Sequence, residues 1–253
     1  MPLNRARALT GRDRSKRFDR QLGFVLAFVA GATNAGGFLA VQQYTSHMTG
    51  IVSAMADHVA LGAYELLGAG AAGLLSFVTG AACSAMLINW ARRHQMHSEY
   101  ALPLLVEAFL LLGFGLLGAR LAQVEALFVP LTVMLLCFIM GLQNAVITKL
   151  SRAEIRTTHI TGIVTDIGIE LGKLCYWNGR HSALRPKVRS DRAHLLYLTL
   201  LALSFFAGGV IGALGFKYLG YVSTVPLAVA LIGLAGVPAF DDFAAAWRRR
   251  TGA

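Results

Sequence analysis

Long apolar segments alternate with short polar ones along the chain. A helix needs about 20 mostly apolar residues to cross a bilayer. Six segments reach that length: 21–42, 65–90, 101–120, 126–148, 193–216 and 220–238. Two further segments, 46–62 and 158–174, are shorter and more polar. The pattern predicts an all-α integral membrane protein with six transmembrane helices, and the two short segments are interpreted as re-entrant or half helices.

Composition supports a membrane location and argues against a soluble surface. Of the 253 residues, 56% are hydrophobic and 14% are charged, whereas soluble domains carry about 25% charged residues. No Lys or Arg occurs between Arg20 and Arg92. The net charge of +10 could indicate nucleic acid, but the basic residues form short clusters between apolar segments. We therefore expect the lipid bilayer as a partner and no nucleic acid.

The basic clusters predict the orientation, because Lys and Arg concentrate on the cytoplasmic side of membrane proteins. With six crossings and a cytoplasmic N-terminus, 21 of the 23 basic residues lie inside, and Arg120 and Lys217 lie outside. If both short segments also crossed, 17 basic residues would lie inside and 6 outside. The first arrangement predicts that both termini are cytoplasmic, with a basic tail at 1–20, a basic loop at 176–192 and a second tail at 239–253. Whether 46–62 and 158–174 turn back or cross stays open.

Three strings occur twice in the same order, which indicates an internal repeat. AGATNA at 30–35 matches MGLQNA at 140–145, TSHMTGIVS at 45–53 matches TTHITGIVT at 157–165, and LSFVTG at 75–80 matches LSFFAG at 203–208. The repeats are 21–122 and 123–238, with three spans and one half helix each. Because three is odd, the second repeat must be inverted in the membrane. Inverted repeats recur in secondary transporters.

Each short segment begins with hydroxyl residues, which are good helix N-caps: Thr45-Ser46 in the first and Thr157-Thr158 in the second. Inverted symmetry would bring the two helix N-termini together near the midplane. A helix N-terminus carries about half a positive charge and unpaired N–H groups. The arrangement favours an anion or the anionic end of a zwitterion.

Polar residues repeated at these positions are the candidates for binding a solute. The histidines could donate hydrogen bonds or carry a coupling proton. The asparagines of the GxxNA pattern either line the cavity or bond to the backbone of the broken helix. The predicted solute-binding residues are His47, Thr49, His159, Thr161, Asn34 and Asn144.

Three acidic residues at membrane depth are candidates for proton coupling, because intramembrane carboxylates are usually functional. They are Asp166, Asp57 and Glu107. Asp166 follows His159 by two helical turns. No third ligand accompanies the two histidines, and Cys83, Cys137 and Cys175 form no metal-binding pair, so no metal, cofactor or catalytic residue is predicted.

Glycines are frequent in segments 65–90 and 193–216, and small residues at such spacings allow close contact between helices. The contact could lie within the chain or between protomers, so a homodimer formed through the Gly-rich helices is a further partner that the sequence allows.

Two strings resemble a known family. GFVLAFVAGATNAGGFLAVQQYTSHMTGIVSAMAD, which begins at residue 23, and TTHITGIVTDIGIELG, which begins at residue 157, are similar to the YoaK-like family of bacterial multi-pass membrane proteins, a family of unknown function. The resemblance covers roughly 20–238 and implies the bacterial inner membrane. The paired half helices are also similar in architecture to sulfate-permease anion transporters, which have about twice as many spans per repeat.

These patterns predict a small secondary transporter or exporter for an anionic or zwitterionic solute, and not an enzyme. The alternatives are a non-transporting membrane scaffold or sensor and, less favoured, an intramembrane enzyme. No nucleophile elbow or HExxH motif supports the last of these.

Overall fold

The computed structural model describes residues 16–96, 98–121, 125–150, 160–178 and 187–251. Every regular element in these ranges is helical. The eight α-helices are α1 (Lys16–Val41), α2 (Met48–Ala60), α3 (Tyr64–Arg93), α4 (Ala101–Leu121), α5 (Glu125–Leu150), α6 (Ile160–Cys175), α7 (Arg192–Leu219) and α8 (Thr224–Thr251). A 3₁₀ turn, Gly220–Ser223, joins α7 to α8.

Within the described residues, four stretches are long and apolar enough to cross a membrane. They are Arg20–Val41, Tyr64–Arg93, Val129–Lys149 and Arg192–Ala244, the last of which includes α7 and most of α8. Ala101–Leu116 in α4 is apolar but shorter. The chain is therefore an all-α membrane protein, as predicted, while the number of crossings stays a prediction.

Helices α2 and α6 differ from the others in length. They have 13 and 16 residues, which at 1.5 Å per residue gives about 20 and 24 Å. The hydrocarbon core of a bilayer is about 30 Å thick. Over the residues that the structure describes, neither helix alone reaches across it.

The side chains of the long helices separate into an inner and an outer set. Leu26, Leu104, Leu142, Leu201 and Leu231 come from α1, α4, α5, α7 and α8, belong to one cluster and are at most 1% exposed. Large apolar residues on the outer surfaces of α3 and α7 are exposed instead, among them Leu75, Met86 and Phe206. Apolar surface of this extent suits contact with lipid.

Helix packing follows one scheme in both halves of the chain. The extensive contacts join α1 to α7, α3 to α5, and α4 to α8. Each short helix then packs on the long helix that follows it, α2 on α3 and α6 on α7. The four helices of the first half, α1 to α4, correspond in order to the four of the second half, α5 to α8. Under this correspondence each of these contacts maps onto another of them or onto itself.

Glycines bring the paired helices into backbone contact. A Cβ atom at Gly31 of α1 would overlap the carbonyl oxygen of Phe205 in α7. A Cβ atom at Gly141 of α5 would overlap the carbonyl oxygen of Phe77 in α3. Gly31 matches Gly141 in the repeat and Phe77 matches Phe205, so the same contact occurs once in each half.

A second glycine contact is also duplicated. Gly80 of α3 lies against the carbonyl of Phe138 in α5, and Gly208 of α7 lies against the carbonyl of Phe28 in α1. These glycines of the predicted Gly-rich segments therefore pack within the chain. A Cβ atom added at Gly68, near the start of α3, would meet no described atom within 4 Å. The homodimer stays a prediction that these internal glycine contacts do not require.

The ends of the chain differ from the sequence prediction. Helix α1 begins at Lys16, inside the predicted tail 1–20, and α8 continues to Thr251, beyond the predicted end of the last span at 238. One contact stabilises the extension, because a carboxylate oxygen of Asp242 accepts hydrogen bonds from the backbone N–H and the hydroxyl of Ser98. Helix α8 thus extends through the predicted tail 239–253 as far as Thr251, and the cytoplasmic location of this tail stays a prediction.

The junction between α6 and α7 is held by a buried carboxylate. Glu170 accepts hydrogen bonds from Lys173 Nζ at 2.7 Å, Ser190 Oγ at 2.9 Å and the backbone N–H of Asp191 at 2.8 Å. The Lys173 hydrogen bond, followed by those of Asp191 and Ser190, lowers the pKa of Glu170 to about 2. Asp191 in turn caps α7 by accepting from the N–H groups of Ala193 and His194. The described ends of the basic loop are therefore fixed to α6.

Candidate functional site

The start of α2 is held by an asparagine of α1. Asn34 is only 9% exposed, and its Oδ1 atom accepts hydrogen bonds from the Ser46 backbone N–H at 3.2 Å and from Ser46 Oγ at 2.9 Å. A buried amide in an apolar surrounding needs such partners. The sequence left two roles open for Asn34, lining the cavity or bonding to the backbone next to the short helix. In the structure it bonds to the chain where α2 begins.

The predicted hydroxyl caps of α2 are wrong. His47 occupies the N-cap position, and its side chain makes no capping hydrogen bond. The hydroxyl of Ser46 donates its hydrogen bond to Asn34 instead of capping the helix. The hydroxyl of Thr45 is fully buried and has no partner among the described residues. Thr157 and Thr158, the predicted caps of α6, lie outside the described residues.

The imidazole of His47 rests on the first turn of its own helix. A Cβ atom at Gly50 would overlap His47 Cδ2. Only glycine fits at position 50 in this arrangement, because the imidazole ring of His47 occupies the space that a side chain there would need. His47 itself is exposed, although α1 and α3 flank it. Gly50 fixes where the ring lies.

The N-termini of the two short helices face a common cavity of about 730 Å³, here called the first cavity. Ser46, His47 and Thr49 line it from α2, and Thr161 and Gly162 line it from α6. Ligand sites of small molecules span about 300–1,000 Å³. The structure thus brings together four of the predicted solute-binding residues, His47, Thr49, Thr161 and Asn144, in a space large enough for a small solute.

Helices α3 and α5 form the other walls of the first cavity. Phe77 and Ala81 belong to α3, and Asn144, Thr148 and Lys149 belong to the C-terminal part of α5. Asn144 Nδ2 donates to the carbonyl of Met140 at 2.8 Å. Asn144 therefore lines the cavity, whereas its counterpart Asn34 does not appear among the lining residues.

A second cavity of about 460 Å³ lies on the other side of the start of α2. Its walls are the end of α1, the face of α2 that packs on α3, and the start of α3, with the residues Phe38, Val41, Gln42, Gln43, Tyr44, His47, Gly50, Ile51, Ala54, Met55, His58, Leu66, Ala69 and Gly70. His47 is the residue that lines both cavities. Its side chain therefore forms a shared wall between them.

The acidic candidates do not line either cavity. Asp57 and Asp166 are exposed on α2 and α6. Glu107 is fully buried between α4 and α5, and its Oε1 atom accepts a hydrogen bond from Gln143 Nε2 at 2.9 Å. The second oxygen of Glu107 and the amide oxygen of Gln143 have no partner among the described residues. The role of these acids in proton coupling stays a prediction.

Lys149 is a cavity residue that the sequence prediction missed. It was counted only as a topological signal at the end of a span. Its Nζ atom donates to Asn89 Oδ1 of α3 at 3.0 Å. A lysine at the end of an apolar segment gives no sign in the sequence of whether it faces a loop or a cavity.

His159 lies outside the described residues, so its predicted position beside Thr161 and Asp166 stays a prediction. Among the described residues, no group of three His, Cys, Asp or Glu side chains is close enough to hold a metal ion.

Comparison with known proteins places the chain in a family. The model of a family described as "Protein of unknown function (DUF1275)" matches residues 22–237. The chain is also 25% identical over 175 residues to the UPF0700 transmembrane protein YoaK of Bacillus subtilis (strain 168), which covers 68% of this chain and 76% of that protein. No solved structure matches the chain. The chain belongs to the DUF1275 family of proteins of unknown function, in agreement with the YoaK-like resemblance of its sequence.

Proposed function

We propose that the protein is a small secondary transporter or exporter that moves an anionic or zwitterionic solute across the membrane. The solute binds in the first cavity, between the N-termini of α2 and α6. His47, Thr49, Thr161 and Asn144, which line this cavity, contact the solute. His159 is proposed as a further binding residue from the sequence repeat alone.

The observation that carries this proposal is the pair of cavities that share His47. The first cavity extends to Lys149 at the C-terminal end of α5, and the second extends to Leu66 at the N-terminal end of α3. In the predicted topology these two helix ends are on opposite sides of the membrane. Movement of the imidazole and of the start of α2 would join the cavities in turn to either side, as alternating access requires.

The proposed arrangement in the bilayer has six spans, two half helices and two inverted repeats, with both termini in the cytoplasm of a bacterial cell. The lengths of α2 and α6 and the duplicated glycine contacts of Gly31 and Gly141 support it. Non-helical backbone at membrane depth is tolerated where it lines a cavity. The stretch from Gln42 to His47, which precedes α2, meets this condition because several of its residues line the second cavity.

The chemistry of the site favours negative charge. The N-cap side chain of α2 makes no hydrogen bond to the first-turn N–H groups, and a helix N-terminus attracts anions through these groups and its dipole. An exposed imidazole beside them adds a donor. A membrane scaffold would instead fill this space with apolar packing.

The test is uptake of small solutes by reconstituted vesicles. Wild type, His47→Ala and Gly50→Ala are compared for the uptake of labelled acetate, lactate, nitrate and glycine. A hydrogen bond to a charged group contributes about 1.5–3 kcal/mol, so His47→Ala should lower uptake of the transported solute roughly tenfold to a hundredfold. Gly50→Ala keeps the imidazole but displaces it, and uptake should also fall.

His94→Ala is the matched control, because His94 is exposed at the C-terminal end of α3 and is not among the lining residues of either cavity. It should transport as wild type does. Undiminished uptake by a folded His47→Ala protein would contradict the proposed role of the shared wall.

A further inference from the structure

The first cavity carries a positive charge that no described carboxylate neutralises. Lys149 reaches it from α5, and in the described part of the chain its ammonium group bonds to a neutral amide, Asn89. The neighbouring Arg92 of α3 is already paired with Glu99, at 2.7 Å, and donates to the hydroxyl of Tyr100. Glu99 is thus engaged by Arg92, and no described carboxylate pairs with Lys149.

The acidic residues of the packed helices lie elsewhere. Asp57 and Asp166 are on exposed surfaces of the two short helices and do not line the cavity. Glu107 is buried with Gln143, and Glu170 is paired with Lys173. Besides Lys149, His47 is the one titratable side chain among the lining residues that the structure describes.

The charge also breaks the repeat symmetry. With the offset of 110 that relates the first strings of the repeats, Lys149 corresponds to Leu39 in α1. One half of the protein therefore supplies a lysine where the other half supplies an apolar side chain. This lysine gives the first cavity a charge that has no counterpart in the first repeat.

We propose that the transported solute is a small anion without an ammonium group, and that Lys149 is the residue that selects it. This inference rests on the proposed function. The anionic group lies between Lys149 Nζ and the first turn of α2, and Asn89 positions the ammonium group. A zwitterion is rejected because its ammonium group would enter a cavity in which no described side chain carries a negative charge, and an unpaired charge at membrane depth is costly.

The test measures the charge preference of the cavity with probes of known sign. All three native cysteines are replaced, and Ala81, a wall residue that makes no polar contact, is changed to cysteine. Its rate of modification is measured with an anionic sulfonatoethyl thiosulfonate and with a cationic trimethylammonioethyl thiosulfonate of the same length. The ratio of the two rates cancels any change in thiol ionisation, because both reagents attack the same thiolate.

We expect Lys149→Gln to lower the ratio of the anionic to the cationic rate by a factor on the order of ten, since a unit charge that lines the same cavity is only partly screened at such a site. Lys149→Arg should keep the ratio. Lys187→Gln removes the same charge from an exposed loop position and should leave the ratio unchanged.

The outcomes separate this inference from the function on which it rests. Reaction with both reagents at a ratio that Lys149→Gln does not alter would overturn the selection of anions and leave a solvent-filled transport cavity. No reaction with either reagent would show that the cavity excludes water, and would overturn both.

Discussion

Gly31→Ala is expected to destabilise the folded protein by about 3 kcal/mol, the upper end of what an added methyl group costs in a packed interior. The new Cβ atom would overlap the carbonyl oxygen of Phe205. A backbone carbonyl cannot rotate away as a side chain does, so α1 and α7 must separate along their contact. Gly141→Ala places the same atom against Phe77 in the other helix pair and should cost a similar amount.

Gly68→Ala is the matched control, since nothing in the described part of the chain lies within 4 Å of the added atom. Alanine is the better helix former by about 0.5–1 kcal/mol, so this variant should be as stable as wild type or slightly more so. Unfolding in detergent, followed by circular dichroism against denaturant, measures all three. Equal stability of Gly31→Ala and Gly68→Ala would contradict the backbone contact between the helices.

The pair of Glu107 and Gln143 should show strong coupling in a double-mutant cycle. Glu107→Leu leaves the buried amide of Gln143 without its partner, and Gln143→Leu leaves the carboxyl group of Glu107 without its donor. A buried polar group deprived of its partner costs about 1–3 kcal/mol, and more if it is charged. Each single variant should therefore lose stability by at least that amount.

The double variant Glu107→Leu/Gln143→Leu should recover most of the loss, because replacing both partners by apolar groups of similar shape is nearly neutral. The same unfolding measurement gives the coupling energy. Losses that simply add would show that the two side chains do not act as a pair. If Glu107 also carries the coupling proton, the stable double variant should fail to accumulate solute against a gradient, which separates its role in transport from its role in the fold.

The helical architecture could be predicted from the sequence because membrane spans leave a strong signal. Apolar length placed the six long helices, the shorter and more polar segments 46–62 and 158–174 placed the other two, and the duplicated strings identified the elements that occupy equivalent places. The helix ends were less predictable. Helix α8 continues past Pro238 because Asp242 bonds to Ser98, 144 residues earlier in the chain. A contact between distant residues has no local pattern.

The candidate site could be predicted only in part, for a similar reason. Repetition singled out His47, Thr49, Thr161 and Asn144, all of which line the first cavity. It also selected Asn34, which holds Ser46 instead. Hydroxyl residues before a helix suggested caps, but the buried Asn34 amide competes for Ser46 and moves the N-cap to His47. Lys149 is not repeated, so a search based on repetition could not find it.

The most direct test of alternating access is the side from which each cavity can be labelled. In a protein without native cysteines, Ala81→Cys reports on the first cavity and Ala54→Cys on the second. A membrane-impermeant thiol reagent is applied to right-side-out spheroplasts and to inside-out vesicles. We predict that Ala81→Cys reacts from the cytoplasmic side and Ala54→Cys from the opposite side. Labelling of both from the same side, or of neither, would contradict two cavities that meet at His47 and open to opposite sides.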